Sequence, residues 1–264
     1  TQQHLLIDPK IREDWKALAE AKNSSMYIIG HKYFNKSLTL DIENRLMLYL
    51  SSIENVKSVY NRRTNEQNKY YTSNKLDKVF SEIWLKLRNK NEKLFPLESV
   101  IKDSALFKAS PFHKLTNEQL DAKMEIINTV AEILQNNTTG NLIIVNGAAG
   151  SGKTVLLSSL FYDLFHDTEF QLEKLEKTAL SNYLLVNQEQ LLVVYEQIAS
   201  KLNILGKNEK RVLKPTRFIN SKSEENKADI ILIDEAHLLW TQGNQGYQGK
   251  NQLIDIINRS QVTI

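Results

Sequence analysis

Residues 142–154 read LIIVNGAAGSGKT, an apolar run that breaks into a glycine-rich turn and ends in Gly-Lys-Thr. Gly147, Ala148, Ala149, Gly150, Ser151, Gly152, Lys153 and Thr154 fit the spacing G-x-x-x-x-G-K-[ST] at every fixed position. Glycines let backbone N–H groups turn inward toward phosphate oxygens, and a following helix adds the positive end of its dipole. Lys153 is then placed to reach β- and γ-phosphates, and the Thr154 hydroxyl to ligate Mg²⁺. The motif sits between an apolar strand and an apolar helix, the context that phosphate binding requires. The expectation is a nucleotide site. Kinases, switches, transporters and motors all use such a loop, so its surroundings must choose among them.

Downstream, residues 229–240 read DIILIDEAHLLW. Asp234 follows an apolar strand, which brings its carboxylate to the C-terminal edge of the sheet, where open α/β sheets bind ligands. There it can hold the Mg²⁺ water shell, and Glu235 is placed to polarise an attacking water. A glutamate in that position favours hydrolysis over transfer to a second substrate, so the chain reads as an NTPase. The plainer alternative is an acidic turn capping a helix EAHLLW. Upstream, Gln119 in KLTNEQL supports two readings. Its amide could donate to and accept from an adenine edge, or it could close a capping box with Thr116.

Periodicity gives the fold class. Strands are expected at 142–146, 183–187 and 229–233, each continuously apolar, as in a parallel sheet covered on both faces. Helices are expected from about 117 to 135, with Leu120, Met124, Ile127, Ala131 and Leu134 inward, through Leu164 after the loop, and over EQLLVVYEQIASKL. Repeated strand–helix units predict a RecA-like, doubly wound α/β lobe over 96–264. Pro96 and Pro111 flank an irregular stretch, and the domain boundary is placed near Pro96. Before it, Leu38, Ile42, Leu46 and Leu50 recur at helical spacing, with Thr39 as a possible cap. Leu76, Val79, Phe80, Ile83, Trp84 and Leu87 form a second stripe. A short strand MYIIG at 26–30 completes a small α/β unit over 1–95.

Composition bounds the rest. The chain has 264 residues, 25% charged and 41% hydrophobic, an ordinary globular profile. Lys and Arg total 34 against 31 Asp and Glu, a net charge of +3 that neither demands nor excludes a nucleic acid. With no cysteine, thiolate metal sites and disulfides are excluded, which fits a reducing cytoplasm. No apolar run reaches membrane-spanning length. The chain begins with Thr1 and stops as Val262-Thr263-Ile264 opens a strand, so a fragment trimmed at both ends is expected.

LTNEQ, GAAGSGKT, YLLVNQEQLL and IILIDEAHLLW, in that order, resemble the first motor lobe of a superfamily 1 DNA/RNA helicase. The resemblance is closest to the Schlafen-like helicase-domain family and covers about 106–264. It implies ATP and Mg²⁺ as cofactors, DNA or RNA (single-stranded) as partner, and an adenine-reading role for Gln119. It places Asn187 and the following residues at a strand-contacting motif. It makes His237 a coupling residue between the ATP site and the nucleic acid, against the plainer reading of a helix histidine packed on its neighbours. Such motors take arginine fingers from a second lobe, and the chain ends before one, so efficient hydrolysis and unwinding are not expected of this piece alone. The rival function is a switch or signalling ATPase that translocates along no strand.

FNKSLTLDIENRLMLYL and the following VYNRRTNEQNKYY resemble the later half of a GIY-YIG nuclease. The resemblance implies Glu43 as ligand of a divalent metal and a downstream role for Asn61. From the residues alone, Glu43 reads rather as an ordinary solvated helix glutamate, and only the resemblance brings the two readings level. The two name-giving tripeptides and the arginine after them are absent, so the module is incomplete and nuclease activity is not expected here. Arg62, Arg63 and Lys69, interleaved with Tyr70 and Tyr71, could bind phosphates and stack on bases or form a solvated loop. The Gly/Gln stretch at 241–249 reads as a mobile loop. His4, His31, His113 and His166 show no metal-ligand spacing.

Overall fold

The structure is a computed structural model that describes residues 24–59, 70–166, 180–205, 209–243 and 246–264. Asn61, Arg62, Arg63, Lys69 and His4 lie outside the described residues, as does the side chain of His166.

Five strands form one all-parallel sheet: β1 Asn141–Leu142, β2 Asn182–Val186, β3 Val212–Leu213, β4 Ala228–Asp234 and β5 Ser260–Thr263. Their order across the sheet is β1-β5-β4-β2-β3. The β-branched run at the end of the sequence therefore becomes an inner strand between the glycine-loop strand and the acidic strand. All seven residues of β4 are buried. Successive side chains alternate between the two faces of the sheet. Leu184, Val186, Ile230, Leu232 and Val262 enter one core, while Leu185, Leu213, Ile231 and Ile233 enter another. Burial on both sides accounts for the unbroken apolar runs.

The larger core receives α5 Asn117–Gln135, α6 Lys153–His166 and α7 Glu189–Lys201. The smaller one receives α8 Pro215–Ser221 and α9 Gln252–Asn258 through Phe218, Ile219 and Ile256. Packed into the larger core are α1 Lys36–Ser51, α2 Leu76–Lys90 and the short α3 Glu98–Asp103 and α4 Ala105–Lys108. Here Tyr49, Phe80, Trp84 and Phe95 pack edge to face or stacked, with centroids 4.7–5.8 Å apart, and the Trp84 indole donates to the Pro96 carbonyl at 2.8 Å. The buried residues run from Leu38 to Ile264 as one cluster, so the packing shows no break at Pro96.

Several local expectations are corrected. MYIIG is not a strand: Met26 and Ile28 are almost fully exposed. An unpaired strand would leave its backbone groups without partners, and the described part of the N-terminal region is helical. Helix α1 is capped by Asn35, whose Oδ1 accepts from the Leu38 N–H at 2.9 Å, and Thr39 instead lies inside the helix. Strand 142–146 shortens to Asn141–Leu142 because β1 is an edge strand and Ile144 turns out to solvent before the glycine loop. On α5 the buried face is rotated from the expected stripe. Met124 is 61% exposed while Lys123 is buried, its ammonium 2.6 Å from Asp163 on α6. EAHLLW makes only one 3₁₀ turn, Ala236–Leu238, because Glu235 enters it in the left-handed region (φ 52°). In the 241–249 stretch, Tyr247 is buried and its hydroxyl donates to Asp255, so the described part of that loop is anchored.

Candidate nucleotide site

The glycine loop joins the C-terminal end of β1 to the N-terminus of α6, whose first ladder bond runs from the Leu156 N–H to the Gly152 carbonyl at 3.0 Å. Gly150 and Gly152 both hold positive φ, 78° and 83°, a region that side chains with a Cβ rarely enter. A Cβ on Gly152 would also fall 2.3 Å from Nε2 of Gln119. The loop turns on itself through a bond from the Ser151 N–H to the Ala148 carbonyl, and Ala148, Ala149 and Ser151 are exposed. Lys153 Nζ donates to the carbonyls of Gly147 (2.7 Å) and Ala148 (3.0 Å), which holds the cation over the loop.

Of its two expected roles, Gln119 takes the capping one here. Its Oε1 accepts from the Thr116 N–H at 2.9 Å while its own N–H donates to Thr116 Oγ1 at 3.3 Å, a complete capping box. Its Nε2 then donates to the Ser151 carbonyl at 2.9 Å. The cap thus orients the amide, and the amide latches the start of α5 onto the glycine loop.

Asp234 is the last residue of β4 and only 7% exposed. Burial pushes its carboxyl above the usual carboxylate range, and the neighbouring Glu235 adds to the rise, against hydrogen bonds that lower it. The Tyr195 hydroxyl, fully buried on α7, donates to Asp234 Oδ2 at 3.2 Å and lies 3.1 Å from Ser158 Oγ. Ser158 is one turn along α6 from Thr154, and its hydroxyl donates to the Thr154 carbonyl at 2.8 Å. Burial, and then the charge of Asp234, raise the Tyr195 hydroxyl well above its ordinary value, so it stays protonated. The two segments that carry Thr154 and Asp234 therefore meet where the Ser158 and Tyr195 hydroxyls approach each other. The Thr154 hydroxyl and the Asp234 carboxylate are oxygen donors of the kind a hard cation takes, while the Lys153 ammonium suits phosphate oxygens.

Glu235 is half-exposed, and its Oε2 lies 3.2 Å from Nδ1 of His237. His237 is itself 72% exposed on the 3₁₀ turn, facing Glu235, and is not packed into a helix. Asn187 Nδ2 donates to the Leu238 carbonyl at 2.6 Å and ties the end of β2 to that turn. Glu43 is exposed on α1, whereas Asp41 on the same helix is buried and accepts from the Tyr70 hydroxyl. Among the described residues no three His, Cys, Asp or Glu side chains gather where they could hold a metal ion. Also among the described residues, no helix is long and apolar enough to cross a membrane. Tyr195 and Ser158 were not legible as site residues, because each falls on an apolar helical stripe and neither belongs to a motif.

The all-parallel five-stranded sheet, with the glycine loop and the acidic strand end at its C-terminal edge, defines an α/β lobe consistent with a RecA-like one. More particularly, residues 140–264 match the family model described as Schlafen group 3, DNA/RNA helicase domain. The chain is also 28% identical over 165 residues to an uncharacterized protein of Saccharomyces cerevisiae, YPL245W, a match covering 58% of this chain and 36% of that protein. The chain thus spans well under half of that relative's length. No solved structure matches.

Proposed function

We propose that the lobe over 96–264 binds ATP with Mg²⁺ and hydrolyses it as the first lobe of a nucleic-acid motor. The observation that carries this reading is the joining of two elements at one sheet edge. They are a glycine loop with left-handed Gly150 and Gly152 at the N-terminus of α6, and a buried Asp234 followed by Glu235.

Backbone N–H groups of 148–152 and the start of α6 would bind phosphate oxygens. Lys153 would exchange its bonds to the Gly147 and Ala148 carbonyls for phosphate oxygens. Thr154 and Asp234 would hold the Mg²⁺, which when bound neutralises charge on the phosphates. Glu235 would orient the attacking water, and His237 beside it would relay the state of the site toward bound strand. Gln119, already oriented by its cap, would present its amide edge to adenine. The match to a helicase domain supports DNA or RNA as the partner.

Because such motors take arginine fingers from a second lobe, the test is steady-state ATP hydrolysis by this lobe paired with one, with and without single-stranded DNA and RNA, comparing wild type with Lys153→Ala and Glu235→Gln. Strand-stimulated hydrolysis lost in both variants supports a motor. A flat rate that still needs Lys153 would leave a nucleotide switch instead.

A further inference from the structure

We infer that Tyr195 is a positioning residue for the metal half of this site: its hydroxyl fixes the Asp234 carboxylate and, through Ser158, ties it to the turn of α6 that carries Thr154. The inference rests on the nucleotide reading above and deepens it.

Packing alone does not account for a hydroxyl at this position. The Tyr195 ring is fully buried in the larger core, 5.9 Å from the Phe161 ring and edge-on to it, where phenylalanine would fill the same space. A buried hydroxyl is costly unless it is paired, and both groups paired with this one lead to the site. The proton count limits which of these contacts are hydrogen bonds at the same time. Three contacts link Asp234, Tyr195, Ser158 and the Thr154 carbonyl, but the two hydroxyls supply only two protons. Asp234 is an acceptor when ionised, so Tyr195 must donate to it. The tie to α6 is a hydrogen bond when Ser158 gives its one proton to the Tyr195 oxygen, polarising the chain toward Asp234; given to the Thr154 carbonyl, that proton leaves none between the two hydroxyls.

The helix that presents Tyr195 is itself held at both ends. The segment before α7 is tied by Asn187 to the turn after Glu235. At the other end, the buried Lys201 ammonium donates to the carbonyls of Ser51 (3.2 Å), the last residue of α1, and Ile53 (2.6 Å), just beyond it. Tyr195 is therefore delivered to Asp234 by an anchored element.

The experiment uses equilibrium binding of a fluorescent ATP analogue to wild type, Tyr195→Phe and Ser158→Ala, with EDTA and then across a Mg²⁺ titration. Tyr195→Phe is expected to leave Mg²⁺-free binding within about twofold and to raise half-saturating Mg²⁺ on the order of tenfold, the usual effect of losing a partner that orients a metal ligand. Ser158→Ala, which leaves the ring in place, is expected to shift it in the same direction by roughly two- to threefold, as one neutral hydrogen bond would. It carries the test if Tyr195→Phe does not fold. Unmoved Mg²⁺ dependence, or an equal fall in Mg²⁺-free binding, would overturn the inference and leave the nucleotide site standing. Absence of nucleotide binding by wild type would sink both.

Discussion

Gly152 concentrates two constraints in one residue: a left-handed backbone and a Cβ direction already filled by the Gln119 amide. Gly152→Ala is expected to cost about 1–3 kcal/mol in backbone strain alone and to weaken nucleotide binding through displacement of the loop. Thermal denaturation and a binding isotherm check the two effects separately. Gln119→Ala removes both the reciprocal cap and the latch to Ser151, an expected loss of about 1 kcal/mol for the cap. If Gln119 also reads adenine, Gln119→Ala should weaken ATP more than GTP; an equal loss for both would confine it to capping.

Among the elements, α7 and the segment before α5 carry the clearest tests. Lys201→Ala would leave the Ser51 and Ile53 carbonyls without their ammonium donor in a buried place, an expected destabilisation of about 1–3 kcal/mol. Chemical denaturation measures it. His113 is pinned to the Phe107 carbonyl at 2.6 Å, and burial holds its pKa below the ordinary 6.5. The unfolded chain then binds the proton more readily than the folded one, so stability from this group is present above 6.5 and is lost as pH falls through the folded value. The melting temperature of wild type minus that of His113→Asn should therefore rise with pH across this range; a flat difference would contradict the assignment.

The long elements were legible because periodicity survives in them: α5 was bounded at 117 and 135 as observed, and β4 and β2 were found to within a residue. The errors fall where tertiary pairing decides. MYIIG has strand composition but no partner among the described residues, and Lys123 turns inward because Asp163 meets it from another helix. The glycine loop, Lys153 and Asp234 announced themselves by spacing. Tyr195 did not, since only the fold brings it beneath Asp234.

At the scale of the whole molecule, one core extends across Pro96 from α1 to the sheet. Trp84, 1% exposed and bonded to the Pro96 carbonyl, belongs to its helical side. Trp84→Ala is expected to cost about 3–5 kcal/mol and to lower a single cooperative transition for wild type and variant alike. Two separate transitions in wild type, only one of them moved by the substitution, would show that the helical layer and the sheet fold independently.

The central claim is that the loop 147–154 and the end of β4 together hold Mg²⁺·ATP. Isothermal titration calorimetry of wild type and Lys153→Ala with ATP, in Mg²⁺ and in EDTA, tests it most directly. Saturable binding to wild type that tightens with Mg²⁺ and is lost in Lys153→Ala is the expected result. No binding to a folded wild type, or binding indifferent to both Lys153 and Mg²⁺, would contradict it.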